Sequence, residues 1–487
     1  MSLAVKAARG AVWTILSAVG GRALGVIGTL IITRFLDPDI VGEVGSAMII
    51  VLTVNWLTNI GFGQYVIVRG RTEPGPEVVW HASVASLGLA WSGLALVALF
   101  ADPVASLVNS DRAGQYIPLL ALTVGIRRLA AIPEKLLIRG MHFRAVSLAY
   151  GIGEATYAAV TVAFAANGFG GMSVVYGNIA QYVTVTVIIL ATAGRGWLER
   201  TPLRLARFRD MFRFGWPLAM EAIAGNASRY WGGLAVRRLF DAQATGFYNL
   251  AYNLADIPAI YVGEQIGMVL LPSMAQLPPE RRPRALERST ALLSLIVFPM
   301  AIGLGVVSDP LIALVMSDEW QGVAPLLTTL VMLSVFRPVA WVVSSYLLTQ
   351  ERNRPLMFLE FGKTVVLLGG MVALAPLGLA WTVVAVGVAF GLHAIASVWL
   401  VLRDGPSPAV LLGGFVRPLV ACAAMACAAL GVRALLERTV ELAPGLLLAI
   451  EIVVGGAVYV AAAFVVCRAT VRELLGLVRS VLRRDRG

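Results

Sequence analysis

A set of short motifs occurs twice in this chain, at a nearly constant separation. The offset is 204 residues for the first group, 207 for the second and 209 for the third. The paired motifs are Arg34, Asp37 and Gly42 with Arg238, Asp241 and Gly246; Asp102-Pro103, Ser110-Asp111 and Pro118-Leu119-Leu120 with Asp309-Pro310, Ser317-Asp318 and Pro325-Leu326-Leu327; and Ser173-Val174-Val175 with Thr382-Val383-Val384. Offsets that change so little indicate an internal duplication. In an apolar chain, a duplication is typical of a transporter built from two structural repeats.

Composition places the chain in a membrane. Hydrophobic residues make up 58% of the 487 residues, charged residues make up 14%, and the mean hydropathy is +0.81. A water-soluble protein of this length could not bury so much apolar surface, so lipid must cover it. Cys422, Cys427 and Cys467 all lie in apolar segments. We interpret them as small core residues, because nothing in their spacing indicates a disulfide framework or a metal cluster.

The apolar runs predict an all-α integral membrane protein with about fourteen transmembrane helices. A helix needs roughly 20 apolar residues to cross a bilayer. The spans lie near residues 11–36, 40–66, 78–101, 114–138, 145–167, 171–194, 214–236, 244–272, 289–307, 322–348, 355–376, 378–402, 411–436 and 444–467. The first run is longer than the core of a signal peptide and contains Arg22, so we interpret it as an uncleaved span.

The basic residues predict the orientation and the domain boundaries. With a cytoplasmic N-terminus, 28 of the 39 Lys and Arg residues lie on the cytoplasmic side and six on the other side, as the positive-inside rule requires. Both termini are then cytoplasmic, and the two six-span halves are parallel repeats. The predicted domains are an N-lobe at 1–194, a cytoplasmic amphipathic linker at 195–213, a C-lobe at 214–402, and two extra spans with a basic tail at 403–487. No nucleic-acid partner is predicted, because the basic residues lie in short loops.

Sequence signatures of enzymes fail one by one. Gly362-Lys363-Thr364 resembles the end of a phosphate-binding loop, but Met357 stands where that loop needs a glycine. Asp37-Pro38-Asp39 fits a helix start better than the acidic pair of a sugar-nucleotide transferase. His81 and His393 are isolated, with no Cys or carboxylate at metal-binding spacing. We therefore predict no enzyme activity, no metal and no cofactor.

Five basic residues remain inside the predicted spans, and all are arginine: Arg22, Arg127, Arg128, Arg229 and Arg337. Charges at mid-bilayer are costly, so such residues usually face a water-filled cavity or a partner. Arg22 lies halfway along the first span, its counterpart at an offset of 204 is Asn226, and Arg229 follows three residues later on the same helical face. Guanidinium groups bind phosphate bidentately. We predict that these arginines and Asn226 bind an anionic substrate, for which a lipid diphosphate is the natural choice.

Other roles for these charges stay open. Each arginine could form a structural ion pair, and the adjacent Arg127 and Arg128 are not expected to face the same direction, so one of them could snorkel. The carboxylates inside spans are Glu154, Glu221, Asp256, Glu264, Glu360 and Glu451. The candidates for coupling transport to H⁺ or Na⁺ are Glu154, Glu221, Asp256 and Glu264. The candidates for contacts with sugar rings are Asn55, Asn59, Tyr157, Tyr230, Tyr248 and Tyr252.

Four segments carry motifs of a known family: Ala11–Gly42, 59–70 (NIGFGQYVIVRG), 136–154 (LLIRGMHFRAVSLAYGIGE) and 246–277. The chain resembles the oligosaccharide flippases of the polysaccharide transporter family, within the multidrug, oligosaccharidyl-lipid and polysaccharide (MOP) exporter superfamily. The last two segments are similar to the colanic-acid-exporter branch. The arginines of spans one and seven lie where related flippases carry cavity cations.

The resemblance implies a V-shaped two-lobe fold and a function in lipopolysaccharide or exopolysaccharide biosynthesis. It implies movement of an undecaprenyl-pyrophosphate-linked repeat unit across the bacterial inner membrane by alternating access. Membrane lipids, a polysaccharide polymerase and the chain-length machinery are the implied partners.

Three alternatives to this function remain. One is the lipid II flippase of the same superfamily, which also has fourteen spans. A second is a cation-coupled multidrug exporter, although such exporters generally have twelve spans and several arginines would repel cationic drugs. The third is a non-transporting scaffold of a glycan-assembly complex, which would leave the intramembrane arginines unexplained.

Overall fold

The computed structural model describes residues 31–69, 75–140, 142–259, 274, 277–350, 352–403, 405–439 and 442–484. Within these ranges the regular structure is helical and contains no strand. The predicted all-α fold is therefore confirmed. The chain forms two compact units, Met1–Gly246 and Phe247–Gly487. The lobe boundaries at residues 194 and 214 stay a prediction.

The first unit is built from nine described helices, and a tenth crosses into the second unit. They are α1 (Pro38–Leu57), α2 (Phe62–Arg69), α3 (Gly75–Leu99), α4 (Ala101–Leu107), α5 (Ile117–Leu129), α6 (Ala131–Arg139), α7 (Phe143–Ala166), α8 (Met172–Ala193), α9 (Leu205–Leu239) and α10 (Ala242–Pro258). The helices α7 and α8 pack along each other, α5 packs on α3 and α8, and α9 packs on α1. The main core contains Val44 and Val51 of α1, Leu94 of α3, and Ile117 and Leu120 of α5.

The described part of the second unit continues with nine more helices. They are α11 (Arg282–Val306), α12 (Ser308–Val315), α13 (Val323–Leu330), α14 (Met332–Leu348), α15 (Asn353–Leu374), α16 (Leu379–Leu402), α17 (Pro408–Thr439), α18 (Pro444–Val466) and α19 (Arg468–Arg484). The helix α11 packs on α14 and α17, and α15 packs on α16. Cys422 and Cys467 are buried as predicted, but Cys427 is exposed, so its interpretation as a core residue is wrong.

The order of helices repeats between the units, as the duplicated motifs predict. The helices α3 and α4 begin at residues 75 and 101, and α11 and α12 begin 207 residues later, at 282 and 308. A span is also broken in each unit, between α5 and α6 and between α13 and α14, although the second break comes six residues earlier relative to the 207-residue offset. Each copy of the duplicated sequence therefore encodes a similar succession of helices, but the break itself has shifted.

Of the fourteen predicted spans, the described residues contain nine helices that are long and apolar enough to cross a membrane. A tenth is counted if the bent pair 318–330 and 334–347 is one span. The predicted span 11–36 and much of 244–272 lie outside the described residues. The predicted span 40–66 is broken, because α1 ends at Leu57 and Gly61 adopts a φ of +60°. Residues with a Cβ rarely adopt that conformation, so the glycine permits the turn into α2.

The predicted linker 195–213 is only partly a linker. Its last nine residues already belong to the 35-residue helix α9. The residues before α9 dock on α3, where the backbone N–H of Arg204 donates to Nε2 of His81 at 2.8 Å. The guanidinium groups of Arg204 and Arg207 lie 3.6 and 3.5 Å from the Glu77 carboxylate. His81 is therefore not isolated, because it accepts a hydrogen bond that holds the linker on α3.

The glycines of the first repeated motif form a close helix crossing within the first unit. A Cβ added to Gly42 on α1 would lie 1.9 Å from the carbonyl oxygen of Ala242. A Cβ added to its counterpart Gly246 on α10 would lie 2.2 Å from the carbonyl oxygen of Pro38. Both contacts are with backbone, which cannot rotate away. The duplication has therefore preserved two positions where only glycine fits.

We expect Gly42→Ala and Gly246→Ala each to destabilise the protein by about 1–3 kcal/mol or more, because the added methyl group forces the two helix backbones apart. The measurement is thermal unfolding of the purified full chain in detergent. Gly88→Ala is the matched control, since a Cβ at this helical glycine meets nothing within 4 Å. Equal unfolding midpoints for all three variants would contradict the assigned crossing.

Candidate functional site

The break between α5 and α6 creates the most polar interior of the first unit. Pro133 lies in the first turn of α6 and has no backbone N–H, so it cannot bond the carbonyl four residues earlier. The α5 helix accordingly ends at Leu129. The break turns Arg127 and Arg128 of α5 and Glu134 of α6 toward a common space.

This space is a cavity of about 230 Å³, which we call the Arg128 cavity. It lies among α1, α2, α3, α5, α6, α7 and α8. Its lining is Leu52, Asn55, Asn59, Gly63, Gln64, Ser86, Val124, Arg127, Arg128, Ala131, Ile132, Glu134, Lys135, Tyr150 and Tyr182. The lining contains three cationic side chains and one carboxylate. Such a cavity favours an anionic or a hydrogen-bonding ligand over an apolar one.

Arg128 is buried, with 8% of its surface exposed, and is held by the end of α1. Its Nε donates to Oδ1 of Asn55 at 2.6 Å, and its Nη2 donates to the Asn55 backbone carbonyl. That carbonyl is in the last turn of α1, where helical carbonyls lack intrahelical partners and carry partial negative charge. Among the residues that the structure describes, no carboxylate oxygen lies within 4.0 Å of this guanidinium. A helix end and an amide orient Arg128 but leave it a full cation.

Arg127 is neutralised, in contrast to its neighbour. It forms an ion pair with Oε2 of Glu134, and its Nη2 donates to the hydroxyl of Tyr150 at 2.5 Å. The Tyr150 hydroxyl in turn donates to Oε2 of Glu134 at 3.2 Å. Arg127 and Arg128 extend to different partners, as expected of adjacent residues, but both line one cavity. The excess positive charge of the cavity therefore belongs to Arg128 and Lys135.

The residues favoured by the repeat comparison lie elsewhere. Arg22 is outside the described residues. Asn226 is on α9 and donates to the Ala222 carbonyl of its own helix at 2.7 Å. Arg229 lies over the ring of Tyr230, 5.4 Å from its centroid. Neither Asn226 nor Arg229 lines the Arg128 cavity.

An arginine beside the broken span of the second unit is paired with a carboxylate. Arg337, on α14, forms an ion pair with Asp256, whose side chain is 1% exposed. The guanidinium also lies 5.7 and 5.8 Å from the ring centroids of Trp341 and Phe390. Arg337 follows Arg128 at an offset of 209, the offset of the third group of repeated motifs. An aspartate thus neutralises the arginine of the second unit, whereas an asparagine holds that of the first.

The remaining candidate carboxylates fall into three groups. Glu154 accepts a hydrogen bond from Nε2 of Gln181 at 2.9 Å. The side chain of Glu221 and all of Glu264 lie outside the described residues. Glu360 forms a cluster with Lys363 and His393, so the interpretation of His393 as isolated is wrong.

Two basic residues that the orientation argument counted outside the spans, Lys363 and Arg433, pair with carboxylates inside helices. Lys363 is inside α15 and pairs with Glu360 at 2.6 Å. Arg433 is inside α17, where its Nε and Nη2 bind the buried Glu451 at 2.7 and 2.8 Å and its Nη2 also donates to the Val306 carbonyl. Without these two residues the counts fall from 28 to 27 on the cytoplasmic side and from six to five on the other, so the bias remains. Arg433 and Glu451 form a structural bridge of the kind left open for the intramembrane carboxylates.

Sequence reasoning missed Glu134, Lys135, Tyr150 and Tyr182 as members of the cavity. One signal was available in the sequence. Glu134 follows Arg127 by seven residues, two helical turns, with Pro133 between them. A proline beside a buried charge pair indicates a helix break at which charged side chains can meet.

Comparison with known proteins identifies the family to which this chain is similar and proteins that share its fold. A family model described as "Polysaccharide biosynthesis protein" matches residues 31–325. The chain is 24% identical to the succinoglycan biosynthesis transport protein ExoT of Rhizobium meliloti (strain 1021) over 477 residues, 96% of this chain and 94% of that protein. It is 24% identical to the lipopolysaccharide biosynthesis protein WzxC of Escherichia coli (strain K12) over 369 residues, 72% of each.

Two solved structures have a helical architecture similar to that of this chain. The lipid II flippase MurJ in an inward closed conformation has a TM-score of 0.79 at 12% identity, covering 94% of this chain and all of that one. An inward-facing MATE family transporter of the MOP superfamily has a TM-score of 0.65 at 14% identity, covering 78% and 94%. At these identities the likeness shows the fold alone, and it agrees with the predicted all-α fold.

We expect Glu134→Ala to destabilise the protein by about 3–5 kcal/mol, because Arg127 would lose its carboxylate while remaining buried. Tyr150→Phe should cost less, about 1.5–3 kcal/mol, since it removes hydrogen bonds and leaves the ion pair. The free energy of unfolding of each purified variant checks that Glu134→Ala loses more stability than Tyr150→Phe. Glu199→Ala, at an exposed carboxylate, is the control and should leave the stability of the protein unchanged. A Glu134→Ala protein as stable as this control would show that the ion pair does not hold α5 to α6.

Proposed function

Since the chain belongs to the family of polysaccharide biosynthesis proteins, we propose that it is a flippase for a lipid-linked oligosaccharide. Its substrate is a repeat unit attached to undecaprenyl pyrophosphate, moved across the bacterial inner membrane by alternating access. The names of two relatives, a succinoglycan transport protein and a lipopolysaccharide biosynthesis protein, support a role in exopolysaccharide or lipopolysaccharide synthesis. The protein moves its substrate without chemical change, so it is not an enzyme.

The observation that carries the proposal is the unneutralised Arg128 in a polar cavity among membrane helices. A diphosphate entering a membrane protein loses hydration and needs a compensating cation. Arg128 is already oriented by Asn55, so little side-chain entropy is lost when an anion binds. Its planar donors match phosphate oxygens, and Lys135 supplies a second charge. The Arg128 cavity is therefore suited to the pyrophosphate group.

The other polar residues of the cavity are suited to the sugar. Asn59, Gln64 and Tyr182 line the same space and carry amide and hydroxyl groups. Amides and phenols hydrogen-bond to sugar hydroxyls, and tyrosine rings provide a face for stacking. The cavity volume of about 230 Å³ holds the anionic group and part of one sugar, rather than a whole repeat unit. The rest of the glycan then occupies other surfaces of the transport path.

Transport against a gradient needs an energy source, and we propose a coupling ion, H⁺ or Na⁺. The carboxylates predicted for this role are Glu154, Glu221, Asp256 and Glu264. We propose that both termini are cytoplasmic and that the polysaccharide polymerase and the chain-length machinery act on the product. A multidrug exporter for cations fits less well, because two excess positive charges in the cavity would repel such a drug.

We expect Arg128→Ala to lower surface glycan at least about tenfold at normal protein level, because a buried anion contact is worth on the order of 2–5 kcal/mol. Arg128→Lys should restore export only in part, since an ammonium keeps the charge but loses the planar donors. The assay is surface glycan, with accumulation of lipid-linked repeat units on the cytoplasmic leaflet as a second measurement. Arg112→Ala is the control, because that side chain is 79% exposed.

Asn55→Asp gives the sharpest test. It keeps the size of the side chain but supplies Arg128 with a carboxylate, as Asp256 supplies Arg337. We expect a folded protein with strongly reduced export, because the substrate would compete with a built-in anion. Asn167→Asp, at an exposed asparagine after α7, is the matched control. Normal export by Asn55→Asp would mean that the anion binds elsewhere.

A further inference from the structure

A cluster of three ionisable side chains lies inside the second unit, on α15 and α16. Nζ of Lys363 lies 2.6 Å from Oε2 of Glu360, and Nε2 of His393 lies 3.3 Å from Oε1 of the same carboxylate. The exposed fractions of the side chains are 8% for Lys363, 3% for His393 and 27% for Glu360. Two basic groups thus share one carboxylate, and the carboxylate is the most exposed of the three side chains.

The neighbouring charges are balanced without the histidine. Lys363 pairs with Glu360, and Arg337 pairs with Asp256. Both cations also lie near the Phe390 ring, with Nζ of Lys363 at 4.9 Å and Cζ of Arg337 at 5.8 Å from its centroid. With a neutral His393 ring, the formal charge of the four other groups sums to zero. A proton on His393 therefore adds one uncompensated positive charge to a buried site.

Among the described residues, the helices packed on α16 carry no further carboxylate that could neutralise a protonated His393. The helices packed on α16 are α13, α14 and α15. Their ionisable residues are Arg337, Tyr346, Arg354, Glu360 and Lys363, and α13 has none. Arg354 precedes Glu360 by six residues, about 9 Å of helix rise. Only the carboxylate of Glu360 can stabilise the imidazolium, and it does so in competition with Lys363.

The contact between His393 and Glu360 depends on the distance between α15 and α16. Oε1 of Glu360 on α15 lies 3.3 Å from Nε2 of His393 on α16, so any separation of these two helices lengthens the contact. Histidine is the side chain whose charge changes most readily near neutral pH. The first unit lacks this arrangement, because the positions at an offset of 209 are Glu154 for Lys363 and Thr184 for His393.

We propose that His393, Glu360 and Lys363 form a proton-exchange site in the second unit, in which the His393 ring gains and loses the proton. The proton adds to the ring nitrogen that lacks one, which leaves Nε2–H directed at Oε1 of Glu360. Its release returns the ring to the neutral form. The use of this proton to drive transport rests on the proposed function. Of the coupling ions considered above, the site selects H⁺.

The chain contains three histidines, which makes the site directly observable. The full-length protein, labelled with ¹⁵N in histidine only and placed in lipid nanodiscs, is titrated from pH 5 to pH 9 while ring nitrogen signals are recorded. His393→Gln identifies the signal by its loss. We expect that signal to change with pH, and in Glu360→Gln to change at lower pH, because the carboxylate that stabilises the imidazolium is gone. His142→Gln, at an exposed position, should leave the transition unchanged.

A second measurement tests the use of the proton. Wild-type cells should lose glycan export when a protonophore collapses the proton gradient, and His393→Gln should lower export about tenfold at normal protein level. His142→Gln should export like wild type. A His393 signal that stays constant from pH 5 to pH 9 overturns the site, and normal protonophore-sensitive export by His393→Gln overturns its role in coupling. If cells lacking the protein export normally, the proposed function fails, but the titration still decides whether His393 exchanges a proton.

Discussion

The contact between Arg128 and the end of α1 determines what the first unit can bind. A charge among membrane helices must be neutralised or hydrated. Here a backbone carbonyl and an amide hold the guanidinium without cancelling its charge. The contact requires that α1 stop at Leu57 and that α5 stop at Leu129, so two interruptions of apolar segments produce one oriented cation. The irregular backbone of this unit is therefore the feature on which the proposed anion site depends.

The two units share an order of helices but differ in how their membrane arginines are held. Each unit contains a broken span, but Arg337 pairs with Asp256 whereas Arg128 is held by Asn55. On the next helix pair, Glu154 of the first unit corresponds to Lys363 of the second. A paired arginine stabilises packing, whereas an unpaired one is available to a ligand. A common scaffold thus carries a site of fixed positive charge in one unit and a titratable cluster in the other.

The sequence predicted the parts of this structure that depend on local pattern. Runs of about 20 apolar residues located most helices, and the repeated motifs predicted the repeated helix order. Pairings between helices were not predictable, because they depend on helix rotation and on where a helix breaks. For this reason the cavity shared by Arg127 and Arg128 was not predicted, Arg433 was assigned to a loop, and His393 was taken to be isolated. Each error came from treating a span as a straight, independent helix.

The two sites differ in a way that explains why a transporter would need both. A guanidinium group stays protonated across the physiological range, so Arg128 cannot release an anion by losing its charge. Release must come from a change of conformation, and a fixed charge contributes no energy to that change unless its contacts differ between states. The proposed exchange site would supply the difference, because the contact between His393 and Glu360 joins two helices. By linkage, a conformation that favours the proton is favoured by the proton in return. In this proposal Arg128 supplies a permanent positive charge that binds the substrate, and His393 supplies a reversible positive charge that changes the conformation.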